Sequence, residues 1–192
     1  ILSGCSAYEI STPYLEAELF DLKFAQSADV MYICHPNHEV EKLSRTGHTA
    51  WTLATVDFTN GPFLDTNTST TTITASAQTV GTGRTFTASA STFVSSDVDR
   101  LIRFRDGHAK VTGFTSATVV TVEILKDTGS TSGSTDWSLG AFSSTTGHPS
   151  CVSFFEQRLV FAATLNNPQT VYFSKSGDYE NMDANIGGTV AD

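Results

Sequence analysis

Basic side chains are scarce in this sequence: 11 Lys and Arg stand against 20 Asp and Glu, giving a formal net charge of −9. Nucleic-acid binders draw most of their affinity from clustered cations, so this balance excludes a surface built to hold phosphates tightly. Cysteine is nearly absent too. Cys5, Cys34 and Cys151 are odd in number and far apart, which rules out a disulfide framework and fits synthesis in a reducing place such as the bacterial cytosol. No apolar run approaches the roughly 18 to 20 residues that span a bilayer, and no charged-then-apolar leader opens the chain, which argues against membrane insertion. Helix signals are sparse. Only Pro13 to Leu22 combines a cap at Thr12, a proline at the first helical position and Leu15, Leu19 and Leu22 on one face, so one short helix is expected there.

What is present reads as strands. The chain has 192 residues, 39% of them hydrophobic and 10% aromatic, enough for a sizeable core. Ser and Thr make up about a quarter, and Thr, Val and Phe recur at period two, which favours a mainly β fold. The stretch from Ser153 to Met182 is rich in Phe, Leu and Val yet carries Glu156, Gln157 and Arg158 in its middle. One long strand would bury these groups at a cost of about 1 to 3 kcal/mol for each left unpaired, so a bend is the cheaper solution. Val152 to Phe155 and Leu159 to Thr164 then flank the bend, with Arg158 free to reach Glu156 or nearby carbonyls. A turn at Leu165-Asn166-Asn167-Pro168 leads to a third strand, Thr170 to Ser174. A second meander runs Asp29 to His35, turns at His35-Pro36-Asn37-His38, continues Glu39 to Arg45, turns at Gly47 and ends with Trp51 to Phe58. Repeated units of this kind build propeller blades. Two blades close no ring, the first residue is Ile1, and Asn185 to Asp192 carries no end signal, so an excised piece of a longer polypeptide is expected.

Between the meanders the composition changes. Asp65 to Ser96 is rich in Thr, Ser and Ala and echoes itself at Thr72 to Ala77 and Thr85 to Ala90, with Gly81 and Gly83 between. Ile73, Ala75 and Ala77 against Phe86, Ala88 and Ala90 give each arm one apolar face, the pattern of a hairpin rather than a linker. Leu101 to Arg105 alternates, Asp106-Gly107 turns, His108 to Thr112 returns, Ala117 to Leu125 forms another strand, and a Gly/Ser/Thr loop follows at Asp127 to Asp136. The expected architecture is a set of antiparallel, propeller-blade-like meanders in residues 1–63 plus 141–192, interrupted by an inserted small all-β domain in residues 64–140. The chain is expected to leave near Gly61-Pro62 and re-enter near Gly147-His148-Pro149. Residues 1–63 hold 8 acids and 3 bases, 64–140 hold 7 and 6, and 141–192 hold 5 and 2, so the flanks carry the acidity.

Several groups invite chemistry. Cys34, His35 and His38 lie within five residues and can approach one ion, but structural zinc takes four ligands and only Cys151 and His148 remain as a distant pair; the turn reading is preferred, with no metal or cofactor assigned. Asp97 and Asp99 are expected on one face of a strand where, with Asp106, they offer a Ca²⁺ site or a glycosidase acid and base. Arg100, Arg103 and Arg105 alongside instead imply surface pairing. Those arginines with Lys110 form the basic cluster, open to an acidic neighbour or a phosphate but read as a solvated face. No Gly-x-Ser-x-Gly elbow exists, and Gly81-Thr82-Gly83 lacks the helix and lysine of a phosphate loop. No catalytic residue is assigned, and the chain is expected not to be an enzyme.

Gln26-Ser27-Ala28-Asp29-Val30-Met31-Tyr32, Lys42-Leu43-Ser44-Arg45, Trp51, Asp136-Trp137, Gly147-His148-Pro149, Phe154 to Phe161 and Ser174-Lys175-Ser176-Gly177-Asp178-Tyr179-Glu180-Asn181, in this order, resemble tail proteins of tailed bacteriophages. They are similar in particular to the tail tubular protein B, or nozzle, type of short-tailed phages. The resemblance implies a propeller-like domain with inserted modules, located in the virion tail and assembled in the bacterial host cytoplasm as a ring of copies. It implies contacts with adjoining tail and portal-adaptor proteins, and passage of double-stranded DNA during ejection without specific binding. The 64–140 segment resembles the first catalytic-cysteine half-domain of ubiquitin-activating enzymes. It holds no cysteine, so no thioester chemistry carries over. The alternative from another class is a carbohydrate-binding module of a phage tail or cell-surface protein, with Trp51, Trp137 or Tyr179 as stacking platforms. A third is a hydrolase working through Asp97 and Asp99.

Overall fold

The computed structural model describes residues 8–183. Cys5 and the 185–192 segment lie outside the described residues. The fold is mainly β and antiparallel, in three sheets. The first orders β1 (Lys23–Ser27), β2 (Val30–His35), β3 (His38–Gly47) and β4 (Ala50–Thr55) as a plain meander. The second has six strands in the order β10-β7-β8-β9-β6-β5. They are β5 (Ile73–Ala75), β6 (Gly81–Ala88), β7 (Leu101–Phe104), β8 (Gly107–Ser116), β9 (Val119–Lys126) and β10 (Trp137–Leu139). The third is the meander of β11 (Cys151–Phe155), β12 (Arg158–Ala162) and β13 (Val171–Phe173).

The polar interruption in the last meander is a two-residue turn. Phe155 pairs with Arg158, and Glu156 and Gln157 both take left-handed backbone angles, φ 45° and 60°. Turns of this hand match the twist of the strands they join. The Gln157 carbonyl accepts from the Gly177 amide at 2.8 Å, and Arg158 opens β12, reaching the Ser174 carbonyl at 3.0 Å with its Nη1. The register places Val152 and Phe154 toward the core with Leu159, Phe161 and Tyr172. Cys151, Ser153, Phe155, Val171 and Phe173 face outward.

Two separate cores result. One is built wholly from the 73–137 stretch around Phe86, Phe93, Phe104, Ile102 and Ile124, all essentially inaccessible. Ile73 pairs with Ala88 and Ala75 with Phe86, so the apolar faces of the two Thr/Ala-rich arms meet. The second core draws Tyr32, Cys34, Val40 and Val56 from the first meander and Leu159, Phe161 and Met182 from the last. Where the chain passes between them, the strands run side by side: the Leu64 amide donates to the Leu139 carbonyl and the Ala141 amide to the Pro62 carbonyl, each at 2.8 Å. The pairing at 139–141 lies ahead of the Gly147-His148-Pro149 return inferred from sequence. Gly107 is forced by packing, since a Cβ there would sit 2.3 Å from the Lys126 carbonyl oxygen.

The helix expected over Pro13 to Leu22 does not form. A single 3₁₀ turn, Glu16–Glu18, stands in its place, with Leu15, Leu19 and Phe20 exposed. Short helices are marginal without an apolar face to bury, and no residue of this turn is buried. The Glu18 carboxylate accepts from the Leu15 amide at 2.9 Å, holding the turn closed. The structure also adds β1, which has a single bulky apolar residue, and β10, whose three residues are too short a run to establish period two. Each exists through pairing, β1 with β2 and β10 with β7. Among the described residues no helix is long and apolar enough to cross a membrane.

Candidate functional site

The β2–β3 hairpin ends with His35 opposite His38, joined through Pro36 and Asn37. A register shift between Ile33 and His35 sets two β3 residues, Glu39 and Val40, against Cys34, and at this irregular end of the ladder Cys34 and His35 are both buried. Cys34 enters the second core, where burial pushes its thiol well above the ordinary range and keeps it protonated. His35 turns elsewhere, with Glu18 and His38, and offers a ring nitrogen within 4.8 Å of their ligand atoms. The sequence grouping of Cys34 with His35 and His38 is therefore corrected: Glu18, 20 residues from His38, takes the place of the cysteine.

His38 Nε2 lies 2.8 Å from Glu18 Oε2. The Leu15 amide and His38 together hold the Glu18 carboxyl below its usual range. The Tyr14 ring packs edge-on to His38, centroids 5.2 Å apart, and stands 6.4 Å from His35. Burial, with Glu41 nearby, pushes its phenol up. Glu41 itself is raised by burial against a hydrogen bond from Thr55. His148 donates its backbone amide to the Pro36 carbonyl at 3.2 Å, and burial beside His38 lowers its imidazole to about 4.

Asp97 and Asp99 do not share a strand face. Asp97 closes a 3₁₀ turn, Ser95–Asp97, and is buried; its Oδ1 meets Arg100 Nη1 at 2.7 Å and accepts from Thr145 Oγ1 at 2.8 Å, and its Oδ2 accepts from the Val94 amide at 2.9 Å. Asp99 has φ 69° and faces Lys110 at 3.6 Å. One carboxylate is consumed by structure and the other is solvated, so they form no acid and base pair. The basic cluster is likewise absorbed. Arg100 is buried rather than solvated, and Arg103 binds Asp136, Ser138, Thr66 and the Arg105 carbonyl. Arg105 reaches the Ser132 and Gly133 carbonyls.

Of the aromatic platforms, Trp137 is in the first core, with its indole N–H donating to the Thr71 carbonyl at 2.9 Å, and has no face to offer a sugar. Trp51 is half-buried under Arg45, whose guanidinium stands 5.7 Å from the ring centroid. Tyr179 packs on Phe154 at 5.0 Å.

His108, on β8 beside the Phe63 ring, is lowered by burial and by the Lys126 cation, with Asp183 acting in the opposite sense. Its folded value lies below the free value near 6.5, so the unfolded chain takes the proton first and stability falls as pH drops below about 6.5. His148 shares that sign, while Glu41, raised on folding, has the opposite one. Comparing thermal melts of His108→Gln and the unaltered protein at pH 7 and pH 5 isolates the first contribution. The variant is expected to lose less of its melting temperature on acidification; an equal loss contradicts the assignment.

No protein-family model matches this chain, and no curated protein matches it either.

Proposed function

We propose that this chain is a structural component of a bacteriophage virion tail, a piece of tube or nozzle wall that makes subunit contacts around the DNA exit channel. The observation that carries the reading is the outer face of the last sheet. Phe155, Val171 and Phe173 are between 45% and 58% exposed on one face, and β13 is an edge strand among the described residues. A clustered apolar face beside an open edge is a surface suited to pairing with further protein.

The residues on which the phage resemblance rests also act as scaffold. Glu180 accepts from Tyr32 and pairs with Lys42, tying the segment after β13 to the first meander, and Thr59 bridges Asn181 in parallel. Arg45 reaches Asp29 at 3.2 Å across the same sheet. These contacts join segments that are distant in sequence. The excess of acids on the flanking segments supports a second element of the reading: a wall of that sign repels duplex phosphates and lets DNA slide without sticking.

Sedimentation of the purified chain tests the contact surface. Concentration-dependent assembly is expected, and Val171→Asp with Phe173→Asp is expected to abolish it while the far-ultraviolet circular dichroism stays unchanged. A monomer at all concentrations, or assembly indifferent to the two substitutions, overturns the assigned face.

A further inference from the structure

Two buried polar atoms near the β2–β3 turn have no hydrogen-bond partner among the described residues: Nε2 of His35, a residue only 1% exposed, and the hydroxyl of Tyr14. The other ring nitrogen of His35, Nδ1, accepts from the Asn37 amide at 3.2 Å. An unpartnered buried polar group is destabilising, and native proteins keep few of them. Two such groups on packed neighbouring rings, beside a carboxylate and a second imidazole, need a common explanation.

We propose that Glu18, His35 and His38 bind one first-row divalent metal ion, with zinc the best chemical fit. Two imidazoles and a carboxylate are the donor set that such ions take, at about 2.0 to 2.2 Å from the metal. Tetrahedral geometry then sets the ligand atoms about 3.4 Å apart. The set lies within 4.8 Å. On loading, the 2.8 Å hydrogen bond between His38 Nε2 and Glu18 Oε2 opens by about 0.6 Å, its proton is released to solvent, and His35 closes in to complete the triangle. His35 ligates through Nε2, the nitrogen left free. Its proton passes to Nδ1 on loading, and the long contact with the Asn37 amide is given up for the metal bond. The fourth position falls to water or to the Tyr14 hydroxyl.

The ion acts as a staple. Glu18 lies on the 3₁₀ turn whose neighbours Leu15, Leu19 and Phe20 are exposed, so apolar burial does little to fasten that segment. A metal bond from Glu18 to the hairpin ties it down, and binding free energy becomes folding free energy.

The test is calorimetric titration of the metal-free chain with zinc chloride. Saturation at one ion per chain and a higher melting temperature are expected. Glu18→Gln and His38→Gln, both at partly exposed positions, are each expected to weaken binding at least about tenfold. His48→Gln, at an exposed position, is expected to leave affinity unchanged. Circular dichroism of the metal-free variants checks their folding. If either variant unfolds, cobalt loading of the unaltered protein decides, because a four-coordinate site absorbs visible light far more strongly than the six-coordinate aqua ion. No saturable binding, a six-coordinate cobalt spectrum, or unchanged affinity in the folded Glu18 and His38 variants overturns the proposal.

Discussion

Replacing Asp97 by alanine is expected to remove about 3 to 5 kcal/mol of stability, read from urea denaturation, because it leaves a buried guanidinium without its counter-charge. Arg100 is only 3% exposed, and its Nε donates to the Gly140 carbonyl at 2.8 Å, so it cannot swing out to water without breaking a second bond. The same carboxylate receives the Val94 amide and the Thr145 hydroxyl, each of which loses its acceptor. Asp97→Asn keeps an acceptor for the amide but not the charge, and is expected to fall between. The pair Asp97→Leu with Arg100→Met removes both charges and is expected to recover the part of the loss due to the unpaired guanidinium, while the Val94 amide, the Thr145 hydroxyl and the Gly140 carbonyl still lose these bonds. A loss below about 1 kcal/mol in the alanine variant would contradict a dry, structural Asp97.

Phe161→Ala is expected to cost about 3 to 5 kcal/mol by opening a cavity where three rings meet. Phe161 is fully buried, edge-on to Phe58 at 5.4 Å and to Phe142 at 5.8 Å. Phe58 comes from the first half of the chain, so this contact joins the two meanders. Phe155→Ala, on the opposite face of the same sheet, is expected to change monomer stability by less than about 0.5 kcal/mol. The contrast is sharp because a one-residue slip at Glu156-Gln157 would exchange the two faces. If the Phe155 variant were the destabilised one, the register at the bend would be wrong.

The sequence displays some of this clearly. Charged residues inside an apolar run have one inexpensive solution, a turn, and the last meander follows from it; so do the alternating arms at 73–75 and 81–88. Elements that depend on partners were less visible. β1 has one bulky apolar residue, Phe24, which is 65% exposed, so its strand identity comes from pairing with β2. The segment 13–22 has helical spacing, but spacing cannot reveal that Leu15 and Leu19 stay exposed. Asp97 and Asp99 look equivalent by position, and only the 3₁₀ turn separates a buried cap from a solvated acid. At the candidate metal cluster, alternation would set Cys34 and His35 on opposite faces. The burial of both at the irregular end of the hairpin, and the approach of Glu18 from 20 residues before His38, have no local signature.

The central claim is that this chain is a wall component of a virus particle. Peptide mass spectrometry of gradient-purified virus particles, from lysates of cells that produce the chain, tests it most directly. Peptides of this chain are predicted to co-purify with tails at several copies per particle. Their absence from intact particles, with the protein abundant in the surrounding lysate, would contradict the account.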